Sequence, residues 1–305
     1  MAHEFLEVRP GSWERASALG KRLTAGPSRH WIFRGQADAR WGLETSLERV
    51  WRSFGHQNEL QRREAWMLHQ FRRRAHHHLA TTPGDRQFLE WLALMQHHGA
   101  PSRLLDFSYS FYVATAFAVE SFGQDAAVWA INMALLRECT RERVGARGAT
   151  IFSYLRACSR HVDEMLGFPG WKPDELGCTV LCAEPSRLNE RISSQKGLFV
   201  VPTEIERPFE ANLASAFGHD ADTLELQRRR SVGPDVSGVA AIKIVLSKKI
   251  APTILGDLKE MNLTHATLFP GIDGFARSLR GKLAQPWSSW TDEDDDVLEA
   301  SHVVD

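Results

Sequence analysis

Two short stretches of this chain are apolar almost without interruption. Residues 126–132 read AAVWAIN and residues 238–246 read GVAAIKIVL. Neither alternates as a half-exposed strand would, so both read as strands in the interior of a sheet with its two faces covered. Shorter candidates accompany them: HWIF at 30–33, CTVLCAE at 178–184 and LFVVP at 198–202. The cover comes from helices. SWERASALGKRL (12–23) opens with Ser12 as an N-cap, and a long helix is expected over 59–79, with Leu60, Met67, Phe71, Ala75 and Leu79 on one side. DRQFLEWLALMQHHGAP (85–101) is a second helix, stopped by Gly99 and Pro101. Further helices are read at 110–122, 252–262 and 274–281, with a mixed helical and loop region over 133–178. Strands and helices interleave without a βαβ rhythm. The expected class is therefore α+β: a mixed, mainly antiparallel sheet with helices packed around it.

A length of 305 residues suffices for one large domain or two small ones, and ten tryptophans imply large buried surfaces or a binding groove. Lys+Arg 37 against Asp+Glu 38 leave a net charge of -1, which removes global basicity as an argument for nucleic acid or an anionic membrane. Locally, RRRAHHH at 72–78 beside Trp66 and Phe71, and QRRR at 227–230, remain basic patches. Cys139, Cys158, Cys178 and Cys182 have no disulfide or zinc-finger spacing, and no stretch has the length and apolarity of a membrane span, so a reduced cytoplasm is the expected compartment. His76, His77 and His78 are consecutive and point to different helix faces, as do His97 and His98, and HExxH spacing is missing, so no metal is expected. Nucleophilic hydrolysis lacks its Gly-x-Ser-x-Gly elbow.

Three polar constellations stand out. In WIFRGQ the apolar run ends in Arg34, a cation with five donors, followed by Gly35, which lets something come close, and Gln36. In MQHHGAPSRLLDFS, Gln96, His97, Ser102, Arg103, Asp106 and Ser108 crowd a helix end and the chain beyond it. Arg103 and Asp106 either pair with each other or face a ligand. In PSRLNERISSQKGLFVVP, Arg191 and Gln195 sit at the mouth of a strand, after Glu190 and ahead of Phe199.

Taken together, FRGQ (33–36), LMQHHGAPSRLLDFS (94–108), ATAFAV (114–119), AVWAIN (127–132), RISSQKGLF (191–199) and LFPGIDGFARSL (268–279) resemble the FRG domain family, in its order. Ser102 and Ser108 stand where that family often has threonine, and Phe107 where tryptophan is common. The resemblance places an FRG domain over 28–284, after an N-terminal helical extension (1–27) and ahead of an acidic, mobile tail (285–305). It implies a bacterial defence or toxin setting.

A second resemblance, to ADP-ribosyltransferases of the arginine–serine–glutamate type, implies a split sheet and NAD as substrate. Arg34, Gly35, Gln36, Gln96, His97, Ser102, Arg103, Ser108, Arg191 and Phe199 would shape the nucleotide site. Arg34, Asp106, Glu190 and Gln195 would form the catalytic set, although Gln195, where the family pattern wants an acid, is no carboxylate. The acceptor is a protein, a nucleic acid or water. The alternatives are a module that senses a nucleotide or a partner without turnover, and a nucleic-acid-binding protein. The oligomeric state is left open.

Overall fold

The computed structural model describes residues 3–25, 30–55, 59–120, 123–146, 150–167, 176–185 and 190–283. In chain order they form β1 (Glu4–Val8), α1 (Trp13–Thr24), β2 (Trp31–Gln36), α2 (Ser46–Ser53), α3 (Leu60–Ala75), α4 (Phe88–His97) and β3 (Leu105–Ser108). Then come α5 (Phe111–Ala118), β4 (Ala126–Asn132), α6 (Met133–Thr140), α7 (Ile151–Gly167), β5 (Val180–Ala183), α8 (Glu190–Ser194), β6 (Gly197–Pro202) and α9 (Phe209–Ala216). The last are β7 (Gln227–Arg229), β8 (Val239–Leu246), α10 (Ala251–Glu260), α11 (His265–Leu268) and α12 (Ile272–Leu283). The tail 285–305 lies outside the described residues.

The strands make one sheet in the order β5-β6-β3-β2-β4-β8-β1-β7. Every neighbouring pair is antiparallel except β8–β1 and β1–β7, which are parallel. The class is α+β. The two continuous apolar runs are β4 and β8, paired to each other near the middle of the sheet. Their patterning follows from cover on both faces: Ala126, Val128 and Ala130 join one apolar cluster, whereas Trp129 and Ile131 join the other. In β2, Trp31 and Phe33 belong to the first cluster and Ile32 to the second. The first cluster is closed by α1, α5 and α10, the second by α3, α4, α6, α7 and α9.

Local signals act as their chemistry requires. Ser12 caps α1 by accepting from Arg15 N, and Gly99 takes a φ of 85° just past the end of α4. The long helix is shorter than its periodicity predicts: α3 ends at Ala75, and His76 to His78 form a turn. Residues 4–8, read as part of a helical extension, instead form β1, which holds β8 and β7 together. QRR at 227–229 is an exposed edge strand.

At Gly35 the backbones of the sheet and α5 lie against each other. A β-carbon there would sit 2.6 Å from Ala118 N and nearer still to Ala114 O. The glycine thus makes room for a helix backbone and not, as its sequence context suggested, for a ligand. Gly35→Ala is expected to push α5 off β2 and to lower stability by about 1–3 kcal/mol or more, read from the urea midpoint.

Candidate functional site

The ladder between β2 and β3 consists of one pair, Phe33 opposite Ser108. By contrast, β2 pairs with β4 along its whole length, from Trp31–Asn132 to Gln36–Ala127, and β3 pairs with β6 at all four of its residues. Past Phe33 and Ser108 the strands part, leaving residues 34–36 and 105–107 unpaired with one another. The strands form one continuous sheet, with a seam at the short β2–β3 ladder that Arg34 spans.

The Arg34 Nη1 donates to the backbone oxygen of Asp106 at 2.8 Å and lies 3.9 Å from Asp106 Oδ2. Its side chain is 21% exposed, and its buried Nε has no hydrogen-bond partner. Burial lowers the guanidinium's pKa, the Asp106 charge opposes that shift, and nearby Arg49 adds to it. Asp106 is the accessible end of the arrangement, its side chain 57% exposed. Gln96 Nε2, at the end of α4, donates to both carboxylate oxygens at 2.9 and 2.8 Å. The Gln96 Oε1 in turn accepts from buried Ser102 Oγ, which also takes the Leu104 N–H at 3.1 Å. Ser102 N donates to Ser46 Oγ at 3.0 Å, tying this chain of bonds to the start of α2. Arg34, Gln96, Ser102 and Asp106 are therefore one connected unit. A positioned carboxylate beside a guanidinium can hold an anion and stabilise developing positive charge.

The other residues singled out in the sequence have different occupations. Gln36 is buried, its Nε2 donating to Gly42 O at 2.7 Å and its Oε1 accepting from Trp129 Nε1 at 2.8 Å, so it anchors the segment that follows β2. That segment is also held by Lys243 Nζ, which donates to Trp41 O at 3.0 Å, and by Glu210, which accepts from Leu43 N at 2.9 Å. Burial lowers the Lys243 pKa, with Glu7 and Glu210 opposing. Ser108 is buried; its Oγ donates to Gln195 O at 2.7 Å and accepts from Ser110 N at 3.0 Å. Gln195 Nε2 donates to Leu268 O at 2.9 Å, pinning α11. Phe199 is a core side chain opposite Asp106 in the β3–β6 ladder. His97 is exposed, its ring 5.1 Å from that of His98. Glu190 and Arg191 begin α8, and their side chains lie outside the described residues.

Arg103 does not pair with Asp106. It is 2% exposed and bound to Glu64, which is 0% exposed: Nε donates to Oε2 at 2.6 Å, Nη2 to the same oxygen, and the backbone N to Oε1 at 3.2 Å. Its Nη1 reaches Met165 Sδ at 3.3 Å. This pair fastens the start of β3 to the inner face of α3, which makes Arg103 a buried fastening. Glu64 was legible as a carboxylate on the apolar side of its helix. Lys243 was legible likewise as the one charge inside the apolar run 238–246, whereas Ser46, Arg49 and Glu210 carried no comparable signal. Among the described residues, no group of three or more His, Cys, Asp or Glu could hold a metal ion.

The fold and this unit define an α+β protein with an exposed carboxylate and a guanidinium at a sheet seam. Residues 29–127 match the model of the FRG domain, so an FRG domain is present over that stretch. The match takes in β2, the helices α2 to α5, β3 and all of the Ser46–Ser102–Gln96–Asp106–Arg34 chain, while Gln195 and Phe199 fall beyond it. No curated protein and no solved structure matches the chain.

Glu64→Ala is expected to cost about 3–5 kcal/mol in urea unfolding, because it leaves the Arg103 charge buried and alone. Replacing both partners, Glu64→Met with Arg103→Met, is expected to recover most of that loss.

Proposed function

We propose that this protein uses NAD, as an ADP-ribosyltransferase-like enzyme or NAD glycohydrolase, in the cleft where β2 and β3 part. The observation that carries the reading is the exposed Asp106 carboxylate, held by Gln96 beside Arg34 at that opening. Arg34, with Arg49 close enough to perturb it, supplies positive charge for the pyrophosphate. Asp106 faces the ribose and stabilises the oxocarbenium-like centre as the bond from C1′ to nicotinamide breaks. The acceptor oxygen or nitrogen then bonds to C1′ and gives up its proton. Gln96 and Ser102 act as positioning residues. Glu190 and Arg191 stay candidates for the acceptor side through their place at the start of α8. A defence or toxin role belongs to the same reading.

A second reading is a nucleotide-sensing module without turnover. It is favoured by the engagement of Gln36, Ser108 and Gln195 in internal hydrogen bonds.

Purified protein with NAD separates the two. Nicotinamide release that falls about a hundredfold or more in Asp106→Asn, at unchanged melting temperature, is the expected result. Thermal stabilisation by NAD without release would assign the sensor. Neither turnover nor stabilisation would end the NAD reading.

A further inference from the structure

The outer face of α3 takes no part in the seam. At 3.6 residues per turn, Arg62, Trp66, His69 and Arg73 form one stripe, opposite the buried Leu60, Glu64, Leu68 and Ala75. All four are exposed, and Trp66 is 63% exposed. Arg63 flanks the stripe with its guanidinium 5.0 Å over the Trp51 ring, and His76, His77 and His78 continue it past the helix end. Three acids lie near this face: Glu206 accepts from Gln61 N at 3.2 Å, Glu59 pairs with Arg62 at 3.1 Å and Asp85 with Arg72 at 3.3 Å, while Arg63 and Arg73 have no acidic partner among the described residues. With a net charge of -1 on the whole chain, this is a local concentration of positive charge.

Solvation alone accounts for the arginines but not for the indole. A tryptophan in the middle of a helix's solvent face exposes a large apolar ring, which is unfavourable unless something covers it. Guanidiniums along a ridge with a stackable ring between them match the chemistry of an unpaired nucleic-acid strand, whose phosphates seek cations and whose bases stack on aromatic planes. Arg62 and Arg73 are about 16 Å apart along the helix axis, enough to engage more than one phosphate.

We propose that the outer face of α3 binds single-stranded nucleic acid, with a base on Trp66 and backbone phosphates on Arg62, Arg63 and Arg73. This rests on charge and ring placement and stands independently of the NAD reading.

The test uses the full chain and a labelled short oligothymidylate or oligouridylate, followed by anisotropy and by tryptophan quenching across a salt series. Affinity is expected to fall with salt, and the log–log slope to shrink by about 0.7 for each phosphate contact removed in Arg62→Ala or Arg73→Ala. Trp66→Ala is expected to weaken binding about tenfold or more, and Trp66→Phe to restore most of it. Because these side chains are exposed, melting temperatures should not move. Absence of binding at low salt would overturn the proposal. So would equal binding of polyglutamate that ignores Trp66→Ala, which would make the face a dock for an acidic protein.

Discussion

Adjacent strands normally hold each other through a run of backbone hydrogen bonds, and β2 and β3 have a single pair between them before they separate. The Arg34 side chain takes over beyond that point, reaching from one strand to the carbonyl of the other. A guanidinium suits this position because it is planar, permanently charged and able to donate in several directions at once. Lysine would present a single point charge. The cost is desolvation, visible as the lowered pKa, and the Asp106 charge offsets part of it. Seam, carboxylate and guanidinium thus belong to one local arrangement: a ladder that stops after one pair and a cation placed between the strands.

The four residues at 33–36 illustrate how one short strand serves four neighbours. Phe33 enters the core under α5, edge-on to Phe111. Arg34 faces the seam, Gly35 lies flush with the backbone of α5, and Gln36 fastens the following segment through Gly42 and Trp129. Alternation of side chains along a strand makes this division possible. It also explains why residues adjacent in sequence need not share a ligand.

Much of this was readable beforehand, for physical reasons that can be named. Continuous apolar runs mark strands covered on both faces, as β4 and β8 are, and caps and stops such as Ser12 and Gly99 act locally. Gln96, Ser102, Asp106 and Arg34 announced themselves by polar density next to apolar elements, and they do converge. What stayed hidden depends on partners remote in the chain. β1 is defined by parallel pairing with β8 and β7, more than two hundred residues away, and β7 is exposed with no patterning of its own. Arg103 finds Glu64, 39 residues earlier, where sequence proximity pointed to Asp106.

The close approach at Gly35 has a mechanical side. Ala114 and Ala118 belong to successive turns of α5, and the glycine is a notch in the strand into which that stretch of helix settles. Sliding α5 along β2 in either direction would ride it up onto the next outward side chain, Phe33 on one side. The helix is therefore indexed, like a pawl in a tooth. Since α5 begins three residues after β3 ends, fixing the helix also fixes the end of β3 that pairs with β2. The place where the two strands meet is in this sense gauged by an atom that is not there, the missing β-carbon of residue 35.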